Sequence, residues 1–580
     1  MSESVNLKEV DTIAAAPAGF TVERAMYALL ATAALLARVL GLGAGMPLLP
    51  LETAQALPAW RDAMNLALTG ATTAAAQSPL LYTVQRFIFW MTDGGNDAWV
   101  RLFPALVGAA LVLVPWALRR QLGRGGALIL AGLIAVDPWL LAFSRLGDGA
   151  ILSTAGALLL WAALLNWDRL SAMQWRLLAV ATALFVLSGP LAWLLLPPLA
   201  LTAVLTRPAL PADNRERRWL LGLFAATVVI VATGWLAYWD GWGVLSSSVS
   251  AALSFVGGDL GYPLLWPVTR LIVDQPFVFA VGVIGLVLLL RGMRAGAADR
   301  SLTIGLGVWA VYGVVLLALP GRSPMTLLIL GLPLLVAAAW GTARLLRFCL
   351  TETDWQDGSL IAVALGVLLV TSYFLSAGYL SAQIVDARML LFYLIVPLLV
   401  AFFVWWSGWQ TTAQVTGLLV AATLLLASLS SAWDLSLRGD LLRGNRLFET
   451  STQQNVRMLA DDVAQLGAIR VGDPGEIDVY VAQVESPLQP VLGWYLRFVR
   501  DLRFVDAIDP ALYGRNVLVI SAPNVQLALP SAAVGSDYPL VQDWLPTGFD
   551  TWRNRLRWAL FRELRQLPAS SSVVLWVQED

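Results

Sequence analysis

The residue types able to do chemistry in this chain are few, and several sit at the ends of apolar runs. Histidine is absent, which removes the commonest general base and the commonest transition-metal ligand. The single cysteine, Cys349, excludes an internal disulfide and a cysteine zinc site; its apolar setting reads as packing. Catalysis therefore falls to carboxylates and arginines. Glu52 comes shortly after the first apolar run, and Asp148 lies just past the third. Two such acids, brought together, could deprotonate a hydroxyl or hold a divalent cation, Mg or Mn. Glu52 is the expected base or metal ligand and Asp148 its partner. Arg86, Arg101, Arg145 and Arg270 fall on the same side of the expected spans and suit contacts to a leaving phosphate. Tyr82 is a candidate substrate contact, and an interfacial tyrosine is the bland alternative. Arg38, Arg101 and Arg145 would equally serve as anchors that snorkel to the interface. Asp137-Pro138 reads as a helix-end turn. Asp93, Asn96 and Asp97 read as helix caps, and Asp259 and Asp274 as solvated loop acids.

The elements that must position these groups are membrane helices. Hydrophobic residues make up 58% of the chain and charged residues 13%, against about 25% charged in soluble domains. The net charge of −1 gives no basic field for a nucleic acid. Residues 1–22 read as a cytoplasmic tail, with no cleavable signal core. About thirteen apolar runs between 23 and 433 approach the roughly 20 residues that a span needs. The pair around Ser188-Gly189-Pro190 reads as two short spans. Arginine clusters recur in alternate loops: Arg119 with Arg120, Arg169 with Arg176, Arg207 with Arg215, then Arg291 with Arg294. The positive-inside rule makes those loops cytoplasmic. Outer loops at 43–97 and 239–271, and a C-terminus outside, follow. Helical spacing at Pro50–Ala56 and Ala59–Leu68 predicts surface helices. Beyond 433 the composition becomes polar. Strands at Ile477–Ala482, Asn516–Ile520 and Ser572–Val577 alternate with helices at Phe448–Leu466, Leu492–Leu502 and Trp552–Leu567. That predicts an extracytoplasmic α/β domain over 434–580. No Gly-rich phosphate loop and no internal repeat is found.

Several segments in order carry a resemblance. Arg38, then Glu52-Thr53-Ala54, then Ser78-Pro79-Leu80-Leu81-Tyr82, then Arg101-Leu102-Phe103-Pro104-Ala105-Leu106-Val107-Gly108 resemble the start of GT-C glycosyltransferases. The subgroup of protein mannosyltransferases and the aminoarabinose transferase is most similar. Within it the sequence is similar to a flippase-activity-associated family with a His-Gly-Pro-Leu-Leu-Tyr-like segment. The resemblance covers Arg38 to about Trp167. It touches the tail at Gly493-Trp494-Tyr495-Leu496-Arg497 and Arg557-Trp558-Ala559-Leu560-Phe561-Arg562-Glu563. It implies a GT-C-like bundle of transmembrane helices. It also implies inverting transfer of a sugar from a polyprenyl-phosphate lipid to an extracytoplasmic acceptor, among membrane lipids and with other membrane subunits as candidate partners. The sequence departs from the family pattern at three places. Leu51-Glu52 replaces Asp-Glu, Gln77-Ser78-Pro79 replaces His-Gly-Pro, and Asp148 and Ala150 stand where the family tends to place Arg and Asp. Two other readings therefore stay open: a catalytically degenerate scaffold or assembly subunit, and a lipid-linked sugar flippase or transporter. The scarcity of polar residues in the spans speaks against the last.

Overall fold

In the computed structural model the described residues are 21–65, 76–207, 213–237, 239, 241–258, 262–294, 299–352, 355–382, 387–436, 450–507, 516–525, 533–543, 551–562 and 569–578. The first nine helices build the half that carries every candidate residue except Arg270. They are α1 (Val22–Val39), α2 (Pro50–Met64), α3 (Pro79–Met91), α4 (Asp97–Ala110), α5 (Arg119–Val136), α6 (Pro138–Ser144), α7 (Ala150–Leu165), α8 (Ala172–Val186) and α9 (Pro190–Thr206). A 3-10 segment, Leu111–Leu118, joins α4 to α5. Local sequence explains their starts. Proline at the first helical position follows Leu49, Ser78, Asp137 and Gly189, where its missing N–H is no loss. The Asn96 side chain accepts from the Ala98 and Trp99 amides and so caps α4. Asp137 does the same for α6, at 3.1 and 2.9 Å, as the helix-end reading expects.

The second half consists of α10 (Asn214–Ala232), α11 (Gly241–Gly257), α12 (Trp266–Asp274), α13 (Pro276–Arg294), α14 (Arg300–Ala318), α15 (Pro324–Glu352), α16 (Trp355–Ala382), α17 (Ala387–Ser407) and α18 (Trp409–Ser436). A Cβ at Gly285 would collide with the Ala337 carbonyl, so α13 and α15 touch backbone to backbone. Close approach through small residues is the usual way to join helices in lipid.

Among the described residues, six helical stretches are long and apolar enough to cross a membrane, and five shorter apolar helices accompany them. By this measure the expected count of thirteen spans is not confirmed. Helices of 15–17 residues such as α7, α8 and α9 rise about 1.5 Å per residue and fall short of a bilayer core of about 30 Å. The Ser188 region does divide two helices, with Gly189 at φ 138° between them. Residues 50–64 form one helix through Pro58 rather than two; the remainder of the expected Ala59–Leu68 helix lies outside the described residues. Asp259 also lies outside them.

The C-terminal region contains β1 (Thr450–Thr452), α19 (Asn455–Arg470), β2 (Asp478–Ala482), α20 (Leu488–Tyr495), β3 (Leu502–Val505), β4 (Val517–Ser521), β5 (Ala533–Asp543), α21 (Trp552–Phe561) and β6 (Ser570–Gln578). The strands form one mixed sheet in the order β1-β5-β6-β4-β2-β3, with β2 parallel to β3 and β4. Val479, Val481, Leu518 and Ile520 pack against Val456, Leu459 and Val463 of α19, while Tyr480, Val517 and Val519 alternate with them and form a smaller core on the opposite face. The same core takes in Leu48 and, from α2, Leu57 and Trp60. The polar tail is thus not packed on itself alone.

Candidate active site

Glu52 is the centre of a closed polar cluster. It sits at the third position of α2, and its Oε2 reaches back to accept the Leu49 amide at 2.8 Å, one half of a capping box. Arg101, one turn into α4, meets it with both edges of the guanidinium. Its Nε donates to Oε1 and its Nη2 to Oε2, each at 2.7 Å. Oε1 also accepts the Gly147 amide at 2.6 Å. Each oxygen thus receives two N–H groups, which fills the lone-pair sites of a carboxylate. Arg101 is filled in turn, because its remaining donors go to the Leu42, Met46 and Pro47 carbonyls at 3.1, 2.9 and 3.1 Å. Glu52 is 0% exposed. This pair braces the loop before α2 and pins Gly147; neither partner has a free atom for substrate.

Asp148 is different. It stands between Gly147 and Gly149 in the turn that leads into α7, 4% exposed. Its Oδ1 accepts the Ala150 amide at 3.0 Å, and its Oδ2 has no hydrogen-bond partner. Burial pushes its carboxyl from 3.8 up to about 8; the Ala150 N–H opposes that, and the nearby Glu52 charge adds to it. Glu52 and Asp148 are therefore neighbours, as expected, but only Asp148 has an unengaged oxygen. The turn needs both glycines. A Cβ at Gly149 would run into the Ser188 carbonyl, and one at Gly147 into Val100.

Asp148 lines a hollow of about 70 Å³ together with Leu51, Gln55, Gln77, Ser78 and Met325. That holds a few water-sized groups, short of the roughly 300–1,000 Å³ of a typical ligand pocket. Gln55 shapes one wall: its Oε1 accepts the Gln77 and Ser78 amides at 2.8 and 3.0 Å, and its Nε2 donates to the Ser78 carbonyl at 3.2 Å. The Ser78 hydroxyl donates to the Ser188 carbonyl at 2.7 Å. The Gln77-Ser78-Pro79 segment is thereby fastened to both α2 and the α8–α9 turn.

Sequence reasoning passed over one cation. Arg322 lies three residues before Met325 of the same hollow, 9% exposed. Its Nε has no acceptor, and it has no carboxylate partner among the described residues. The signal was present in the sequence. A lone arginine between two apolar runs, on the side the positive-inside rule leaves arginine-poor, runs against the pattern.

The other expected phosphate ligands are placed elsewhere. The Arg145 Nη1 donates to the Ala37, Arg38 and Leu40 carbonyls at 2.8, 3.1 and 2.8 Å and so closes the C-terminus of α1. Arg38 spans from α1 to the Ile134 and Ala135 carbonyls of α5 at 3.0 and 3.1 Å. Arg270 lies 2.9 Å from Asp274, both buried, so Asp274 is not the solvated loop acid expected. Arg86 is half-buried on α3. The Tyr82 hydroxyl donates to Asp62. Nor do the two acids form a cation site as they stand. Glu52 gives its lone pairs to N–H groups and Asp148 offers one oxygen, and the described residues hold no cluster of three or more potential ligands.

No protein-family model matches the sequence, and no curated protein does. Similarity lies in three dimensions. The chain is similar to ArnT from Cupriavidus metallidurans bound to undecaprenyl phosphate, with 14% identity and a TM-score of 0.52 over 95% of this chain and 97% of that one. The same protein in the apo state gives 14% identity and a TM-score of 0.51 over 96% and 98%. The Archaeoglobus fulgidus oligosaccharyltransferase in the apo form gives 12% identity and a TM-score of 0.48 over 83% and 64%. At such identities the ArnT likeness establishes the fold. The chain has the ArnT fold over nearly its whole length, helical body and C-terminal sheet domain together. The narrower resemblance to the flippase-activity-associated family is not carried by any of these likenesses.

Proposed function

We propose that this chain transfers a sugar from a polyprenyl-phosphate carrier to an extracytoplasmic acceptor hydroxyl, with Asp148 as general base. In the reaction the acceptor oxygen bonds to the anomeric carbon while the bond from that carbon to the phosphate oxygen breaks, with inversion. The acceptor proton passes to Asp148 Oδ2, and the phosphate leaves with the lipid. Arg322 is assigned to the charge that develops on that phosphate. Glu52 and Arg101 are positioning residues that hold Gly147, and with it Asp148, at the wall of the hollow. The observation that carries this reading is a buried carboxyl with one unengaged oxygen, on a residue that lines a small hollow. A raised proton affinity suits a base working near neutral pH. The undecaprenyl phosphate seen with ArnT fits the same class of donor. The alternation of arginine clusters supports an extracytoplasmic position for this side.

The test is transfer in liposomes holding the purified protein and radiolabelled polyprenyl-phosphate sugars, with glucose, mannose, galactose and aminoarabinose as the panel. Removing a general base costs about 10²–10⁴-fold, so Asp148→Asn should fall by that factor. An unchanged rate in that variant sinks the assignment. Two observations favour a second reading, a degenerate membrane subunit. Ala150 stands where a second acid is expected, and Glu52 is locked into an ion pair. No turnover with any panel sugar, together with stoichiometric co-purification of other membrane proteins, would select it.

A further inference from the structure

At the far end of α7 from Asp148 a groove of about 680 Å³ runs between the 3-10 segment, the end of α7 and the start of α8. Its walls include Leu159 and Leu177, both exposed, and its rim carries Arg119, Arg120 and Arg169. No acid lines it. The arginines are partly engaged. Arg119 lies 3.8 Å over the Trp116 ring and 3.3 Å from Glu23, and Arg120 lies 3.1 Å from Asp168. Arg124 is 3.9 Å from Glu23 as well. Arg169 has no side-chain partner among the described residues. The three rim arginines against two acids leave a surplus of one positive charge at the mouth of an apolar trough.

We propose that this groove holds one anionic phospholipid, its phosphate at the arginine rim and an acyl chain along Leu159 and Leu177. Three features select that occupant. The rim sits at the helix ends, at the depth of lipid head groups, and the trough below it is apolar. The charge surplus favours a net-negative head group over a zwitterionic one, and basic pockets between membrane helices are known to take such head groups. The Arg119 stack on Trp116 fixes one donor in place, which lowers the ordering cost on binding. The proposal needs only that the helices span a membrane, so it stands apart from the transferase reading.

The test is native mass spectrometry of the detergent-purified full chain titrated with phosphatidylglycerol or phosphatidylcholine. Phosphatidylglycerol should bind one per chain and more tightly than phosphatidylcholine. A surface arginine is worth about fivefold in affinity for an anionic lipid. Arg169→Gln should therefore lose about that factor for phosphatidylglycerol and leave phosphatidylcholine unchanged. Leu159→Trp, which fills the trough, should block the site while the melting temperature stays within a few degrees of wild type. Asp148→Asn should bind phosphatidylglycerol as wild type does. Equal affinity for the two lipids, or an unchanged affinity in Arg169→Gln, overturns the proposal. Displacement by millimolar inorganic phosphate would also overturn it, because the acyl chain would then contribute nothing.

Discussion

Two acids that look alike in the sequence have opposite environments. Asp148 holds a proton in the folded chain between pH 3.8 and about 8, a window in which the unfolded chain releases it. Folded stability therefore falls as pH rises through that window. Asp148→Asn cannot ionise, so its thermal unfolding should lose this slope, and melts between pH 5 and 9 would show the difference. Activity should move the opposite way: kcat/KM should climb with the ionised fraction and level off above about pH 8. Glu52 is instead the counter-charge of a buried arginine. Glu52→Gln leaves Arg101 without its partner, at a cost of about 3–5 kcal/mol. A large drop in melting temperature in detergent would check this. Full stability with lost activity would show that Glu52 acts on the substrate itself.

At the scale of elements, the site depends on one tight crossing. The Gly147–Gly149 turn fits between Val100 of α4 and the Ser188 carbonyl of the α8–α9 turn. Gly149→Ala must push the two turns apart. Overpacking of this kind costs about 1–3 kcal/mol, and the displacement would carry Asp148 with it. The expected outcome is a fall in transfer larger than the loss of stability explains. Wild-type transfer in a Gly149→Ala protein of ordinary stability would show that the turn has room to spare.

The helical body and the sheet domain are joined through Asp97. Its carboxylate meets Arg457 at 2.8 Å, the Trp494 indole N–H at 2.9 Å and the Tyr495 hydroxyl at 2.9 Å. Tyr495 passes the connection on by accepting the Leu48 amide at 2.8 Å, and Thr452 donates to the Leu48 carbonyl at 2.6 Å. The Trp494–Arg497 segment is therefore the face by which the sheet domain grips the loop that bears Glu52. Arg562 has a matching role, for its Nη2 donates to the Val273 carbonyl and the Ser431 hydroxyl, each at 2.7 Å. Asp97→Ala removes three charge-assisted contacts worth about 1.5–3 kcal/mol each at most. Its expected signature is faster hydrogen exchange at 488–499 and at 43–49 together. Faster exchange in only one of those segments would show that the two sides are not coupled through Asp97.

Composition and periodicity were enough to reveal a helical membrane body, a break at Gly189 and a polar sheet domain, because burial in lipid demands long apolar runs and strands alternate with the pleat. They also drew Glu52, Arg101 and Asp148 to one side. What those residues do was hidden, because the fate of a lone pair depends on neighbours far along the chain. Gly147 lies 95 positions from Glu52 and Arg101 lies 49, and their N–H groups decide that Glu52 braces the loop. Asp97 was read as a cap for the same reason, since Tyr495 stands 398 positions away. Composition marks the apolar runs, but length and hydropathy alone do not settle which of the shorter helices cross, so the count of thirteen is not confirmed. Only the tertiary structure decided which acid kept an oxygen free, since that is settled by how many N–H donors the folded chain aims at each.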